Sequence, residues 1–157
     1  MTAATRLTGS LPRPDLSNRP HHITVERDMR SSAERIYWAW TEGFDTWFAG
    51  RGAIRMRAEV DEPFWFETEH AGDRHAHYGR FLTLEPNRFI ELTWMTGTPG
   101  TAGAETVLTV ELTPLGDGTT QLRLTHAGFY DQAGLAQHDT AWPQLLPRID
   151  RPPARDD

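Results

Sequence analysis

The chain has 157 residues, enough for one domain with a real core and too few for two comfortable ones. Its 22 acidic residues against 16 basic ones give a net charge of −6, a balance ill suited to neutralising nucleic-acid phosphates or anionic lipid. All the basic residues are arginine and cysteine is absent, which removes Schiff-base chemistry, thiolate nucleophiles, thiolate zinc sites and disulfides.

Residues 1–20 hold Pro12, Pro14 and Pro20 without apolar periodicity and read as a flexible N-terminal leader. They lack the apolar stretch of a secretory signal, and no apolar run approaches a membrane span. A cytoplasmic protein with no membrane or nucleic-acid partner is therefore expected. "HITVERDM" alternates Ile23, Val25 and Met29 with polar residues, the pattern of a half-buried strand. In "SSAERIYWAWTEG", Ser31 and Glu34 have capping-box spacing, and Ala33, Ile36, Tyr37 and Trp40 recur at helical intervals. "FDTWFAG" predicts one more helical turn before Gly50 and Gly52.

Alternation then predicts strand after strand. Ile54, Met56, Ala58 and Val60 share a face, as do Ile90, Leu92 and Trp94, then Leu108, Val110 and Leu112, then Leu122, Leu124 and His126. From Gln132 the period turns helical, with Leu135, His138, Trp142, Leu146 and Ile149 on one stripe. The sum is an α+β domain over residues 21–151: about seven antiparallel strands curled around a long C-terminal helix, with two short helices between the first two strands. Residues 152–157 read as a frayed tail.

Between the strands lies "ETEHAGDRHAHYGRF". With Gly72 and Asp73 as the central residues of a tight turn, His70 faces His75, Thr68 faces His77 and Phe66 faces Gly79, and the three histidines share a face with Phe64, Phe66 and Phe81. Three imidazoles that close could hold a zinc ion. No carboxylate to orient them and no fourth ligand is placed on that face, so the expectation is a polar rim, with no metal and no cofactor. His126 and His138 each stand alone in an apolar stripe. A histidine so placed is more often a satisfied core residue than a catalyst, although an inward imidazole also suits the polar end of a ligand.

The segments "ITVERDMRSSAERIYWAWTEG", "TWFAG", "YGRFLTLEPNRFIELTW" and "LRLTHAGF" together resemble the START-like SRPBCC superfamily, which has the helix-grip fold of the birch pollen allergen. "HDTAW", with His138 four residues before Trp142, is similar to the His-x-x-Gly-Trp signature of the branch named after the activator of the heat-shock-protein-90 ATPase. Ala141 replaces the usual glycine. Pro143 and Pro147 each remove a helical hydrogen bond, at a cost of ~3 kcal/mol in a regular helix, so a kink or a second short helix starting at Pro143 is expected.

The resemblance implies a hydrophobic cavity between sheet and C-terminal helix. A lipid-like or polyketide-like molecule would lie there against Phe64, Phe66, His77, Phe81, Trp94, Leu135 and Trp142, with His126 or His138 on its polar end. The first alternative is a cyclase or dehydratase using an inward histidine as base or acid, though no opposing polar group is visible and binding without turnover is preferred. The second is a regulator of a chaperone ATPase. The known activators carry a further domain that a twenty-residue leader does not replace, so this partner is left open without support, as is a homodimer.

Overall fold

The computed structural model describes residues 6–49, 52–70, 72–97 and 100–151. Strand β1 is Leu7–Thr8, β2 His22–Met29, β3 Ile54–Arg55, β4 Pro63–His70, β5 Asp73–Glu85, β6 Phe89–Thr96, β7 Thr106–Gly116 and β8 Thr119–Ala127. Helix α1 covers Ala33–Trp40 and is followed by a 3-10 turn at Phe44–Thr46; α2 covers Gln132–Leu145 and runs into a second 3-10 turn at Leu146–Asp150. The strands form one antiparallel sheet in the order β2-β8-β7-β6-β5-β4-β3, with β1 added to β5. The inward faces found by alternation meet α1 and α2 in a single core. This is the helix-grip arrangement. No described helix is long and apolar enough to cross a membrane.

Local chemistry explains the element boundaries. The α1 cap is Ser32, whose side chain accepts from the Arg35 N–H. Ser31, expected as the cap, instead donates its hydroxyl to Asp150 at 2.7 Å, and the same carboxylate accepts from the Arg30 N–H at 3.0 Å. Asp131 caps α2 through the Gly134 N–H. The helix does not break at Pro143, which lies in its last turn. The change to 3-10 geometry comes at Leu146, with Pro147 beginning the new turn, where a missing N–H costs little.

Three sequence expectations need correction. The strand expected over residues 54–60 shrinks to Ile54–Arg55 and a lone bridge from Val60 to Phe81. The hairpin register differs: His70 pairs with Asp73, Thr68 with His75 and Phe66 with His77. The turn thus falls between His70 and Asp73, where Gly72 supplies a φ of 84° that a residue with a β-carbon resists. Because the shift is by a whole pleat, the residues keep their face.

The third correction concerns the leader. From Arg6 onward it is tied to the sheet. β1 occupies the edge of β5 that β4 leaves open, with Leu7 opposite Leu84 and Thr8 opposite Thr83, and the Gly9 N–H continues the ladder to Leu82 at 3.0 Å. The chain then turns across the outer face. Ser10 and Leu11 donate their N–H groups to the Asp61 carboxylate at 2.8 and 3.3 Å, and Arg80 both pairs with Asp61 at 3.0 Å and donates to the Pro12 carbonyl. Arg13 pairs with Glu91 at 2.7 Å, and Arg19 donates to the carbonyls of Glu105 and Gly128. Thr93 and Val107, opposite one another on the side away from the core, are buried as well. The frayed-tail expectation falls on residues 152–157, outside the described residues.

Candidate functional site

The concave side of the sheet brings most of the predicted site residues together. His77 lies flat on Phe66, ring centres 4.6 Å apart, and meets the edge of Trp94 at 5.1 Å; Trp94 meets Trp142 at 5.4 Å. His126 stands 4.8 Å from His138. Phe64 touches both Phe66 and Phe81, and Leu135 packs at the margin, partly buried. Among the described residues, further rings reach into the hollow expected there. Trp40, Phe44, Trp47 and Phe48, from α1 and the turn after it, occupy that space. Phe48 alone contacts Phe66, His77, Trp94 and Trp142, at 5.4 to 5.8 Å. It is also only half-buried, whereas those four neighbours are buried. A recess of about 230 Å³ does exist on the opposite face, lined by Glu26, Glu111, Thr113, Gln121 and Arg123, where Arg123 lies between the two glutamates.

Phe44, Trp47 and Phe48 are not among the expected site residues because "FDTWFAG", a single helical turn, is too short to show which of its side chains face inward. Its signal was density: three aromatic side chains in seven residues ahead of Gly52, which adopts a φ of 78°.

The polar groups of the interior are arranged with equal definition. Thr106 donates its hydroxyl to the Trp94 carbonyl at 2.5 Å and accepts from His126 Nε2–H at 2.7 Å, while His126 Nδ1 accepts from Trp142 Nε1–H at 3.2 Å. Both imidazole nitrogens are used, and the pattern fixes a neutral tautomer. Burial pushes the His126 pKa well below the ordinary 6.5, with nearby His138 acting in the same direction. Burial also lowers His138, against the opposing effect of its Nδ1–H bond to the Gly134 carbonyl at 2.8 Å. His77 is brought down to about 4 by burial, against its Nδ1–H bond to the His75 carbonyl, with His138 and His75 adding to the lowering.

This arrangement is a set of neutral imidazoles, two of which, His77 and His138, keep Nε2 as an acceptor. No group of three histidine or carboxylate side chains among the described residues is placed to hold a metal. The His70 side chain lies outside the described residues; His75 is half-buried, while His77 is turned inward. Two core tryptophans break the rule that buried donors are paired. The indole N–H groups of Trp40 and Trp94, residues 0% and 1% exposed, have no hydrogen-bond partner among the described residues. Trp47, by contrast, donates to the Ala39 carbonyl at 2.7 Å.

Residues 30–151 match the family model described as activator of Hsp90 ATPase homolog 1-like protein. The chain belongs to this family. Structures of the same fold include protein CV1439 of Chromobacterium violaceum, with 23% identity over 87% of this chain and 100% of that one and a TM-score of 0.71. A second is the Aha1 dimer of Colwellia psychrerythraea, with 20% identity, 83% and 93% coverage and a TM-score of 0.61. A third is an HSP90 activator of Plasmodium falciparum, with 18% identity, 80% and 89% coverage and a TM-score of 0.60. Among curated proteins none matches. The family match begins at residue 30, so the strap formed by residues 6–20 of this member lies ahead of it.

Proposed function

We propose that this family member binds an apolar small molecule bearing hydrogen-bond acceptors, in the interior between sheet and α2, with the Phe48 ring swinging out to admit it. The observation that carries the reading is the pair of buried, unpartnered indole N–H groups, Trp40 and Trp94, inside an otherwise apolar aromatic cluster. Each costs about 1–3 kcal/mol if left unpaired. A guest acceptor that engages them recovers that cost while its body gains apolar contact. Phe66, His77, Trp94, His138 and Trp142 would surround it, with Phe64, Phe81 and Leu135 toward the margins, and His126 would hold Trp142 in place.

A role for His126 as a catalytic base fits poorly, because both its nitrogens are engaged. Enzymatic turnover would have to use Nε2 of His77 or His138, and the lowered pKa values make both weak bases.

Native mass spectrometry of freshly purified protein, followed by thermal-shift titration with fluorescent hydrophobes, tests the reading. A copurified apolar molecule, or a rising thermal midpoint that grows larger in Phe48→Ala, is the expected outcome. An empty spectrum together with an unmoved midpoint in both proteins would end it. Stimulation of a chaperone ATPase by the same preparation would then favour the regulator alternative.

A further inference from the structure

We propose that the N-terminal strap exchanges between two copies of this chain, so that residues 6–13 of one protomer occupy the β5 edge and outer face of the other. This goes beyond ligand binding and rests on a different surface.

Every contact that holds the strap reaches far along the chain. Leu7 pairs with Leu84, Ser10 and Leu11 with Asp61, Arg13 with Glu91. The groove therefore has no local feature that distinguishes its own strap from a neighbour's. It recognises an extended segment by three separate chemistries. The open edge of β5 supplies ladder bonds, Asp61 accepts two successive backbone N–H groups, and Glu85 and Glu91 face Arg6 and Arg13 at 3.1 and 2.7 Å. A groove that offers Glu85 and Glu91 to Arg6 and Arg13, Asp61 to two backbone N–H groups and Arg80 to the Pro12 carbonyl suits this strap whether the two belong to one chain or two.

The connection permits exchange. Arg19 ties the chain back to its own Glu105 and Gly128 carbonyls, so the hinge lies in the five residues between Arg13 and Arg19, which hold Pro14 and a turn closed by the Arg19 N–H on the Leu16 carbonyl, and a short constrained hinge favours exchange. The strap itself contributes little apolar burial: Leu7 and Leu11 remain 49% and 50% exposed. A segment held mainly by edge bonds and ion pairs leaves at low cost, and two reciprocal straps would cover the exposed leucines against the partner. Exchange of an identical element is a low-cost route to a dimer.

Because the chain has no cysteine, the exchange can be read by chemistry alone. Thr8 and Thr83 are a cross-strand pair flanked by hydrogen-bonded ones, a position with Cα atoms about 4.5 Å apart, within disulfide range. The single variants Thr8→Cys and Thr83→Cys, each oxidised alone, set the baseline. Mixed at high concentration and then oxidised, they are expected to give a covalent heterodimer whose yield rises with concentration. Introducing Asp61→Asn into both is expected to speed its formation. The double variant Thr8→Cys/Thr83→Cys, oxidised when dilute, should close within one chain and report that the register is correct. Closure of the double variant with no heterodimer from the mixture, at any concentration and with Asp61→Asn present, would show that each strap stays with its own chain. Failure of the double variant to close would remove the groove itself.

Discussion

The two faces of the sheet are held by different forces. On the inner face, rings that are buried except for the half-buried Phe48 contact one another, and the polar groups among them include neutral histidines, threonines and indoles. On the outer face, a strap of low apolar content is held by carboxylates and guanidiniums. The lesson is that burial came from two sources, area on one side and charge on the other. The faces should therefore separate under conditions that act on only one of them.

The largest separation is expected from truncating an inner ring. Trp142→Ala removes a side chain that touches Trp40, Phe48, Trp94 and His126 and strips His126 Nδ1 of its donor. A loss of about 3–5 kcal/mol in denaturant unfolding is expected. A smaller loss would mean that the inner face is looser than its contacts imply.

Next comes acid. The His77 pKa lies near 4 in the fold against an ordinary 6.5, so between those values the unfolded chain binds a proton that the folded one refuses. Stability should be complete above pH 6.5 and fall as pH drops toward 4, by about 3 kcal/mol from this residue, with His126 and His138 acting in the same direction. His77→Phe should flatten the curve. Asp61 titrates in a different window. Burial works to raise its carboxyl, but the N–H groups of Ser10 and Leu11 and the Arg80 guanidinium outweigh it and the net shift is downward. Its contribution persists down to the ordinary carboxyl value of 3.8 and disappears only below it. A fluorophore on the strap should thus report release at lower pH than the tryptophan emission of the core; simultaneous release would break the comparison.

Thr106→Val is a smaller probe of the inner face. It leaves His126 Nε2–H and the Trp94 carbonyl facing a methyl group, and a loss of about 1–3 kcal/mol is expected in the same unfolding assay. The smallest effect belongs to the outer face. A double-mutant cycle on Arg13 and Glu91, a pair whose arginine is half in solvent, should give about 0.2–1 kcal/mol and vanish in high salt.

How much of this was legible depended on the range of the cause. Alternation identified the inward residues of β6, β7 and β8, since Leu92, Trp94, Leu108 and Leu124 owe their burial to a local period of two. The stripe through His138, Trp142, Leu146 and Ile149 was equally readable, and all four are buried. The hairpin register was misread because a Gly-Asp pair fits the same turn positions as the residue pair that takes them. The strap reads as a flexible leader because it has no apolar period; the partners of residues 6–13 lie 50 or more positions away, as Leu11 and Asp61 do. Phe48 was missed for a related reason. A ring that plugs a cluster from an irregular turn leaves no periodic trace.

Asp150 gives the architecture a direction. By accepting from Arg30 and Ser31 it latches the last turn of the domain to the junction of β2 and α1, and Arg35 reinforces the latch through the carbonyls of Ile149 and Arg151. The final helix therefore cannot lift from its C-terminal end without unseating the start of α1 as well.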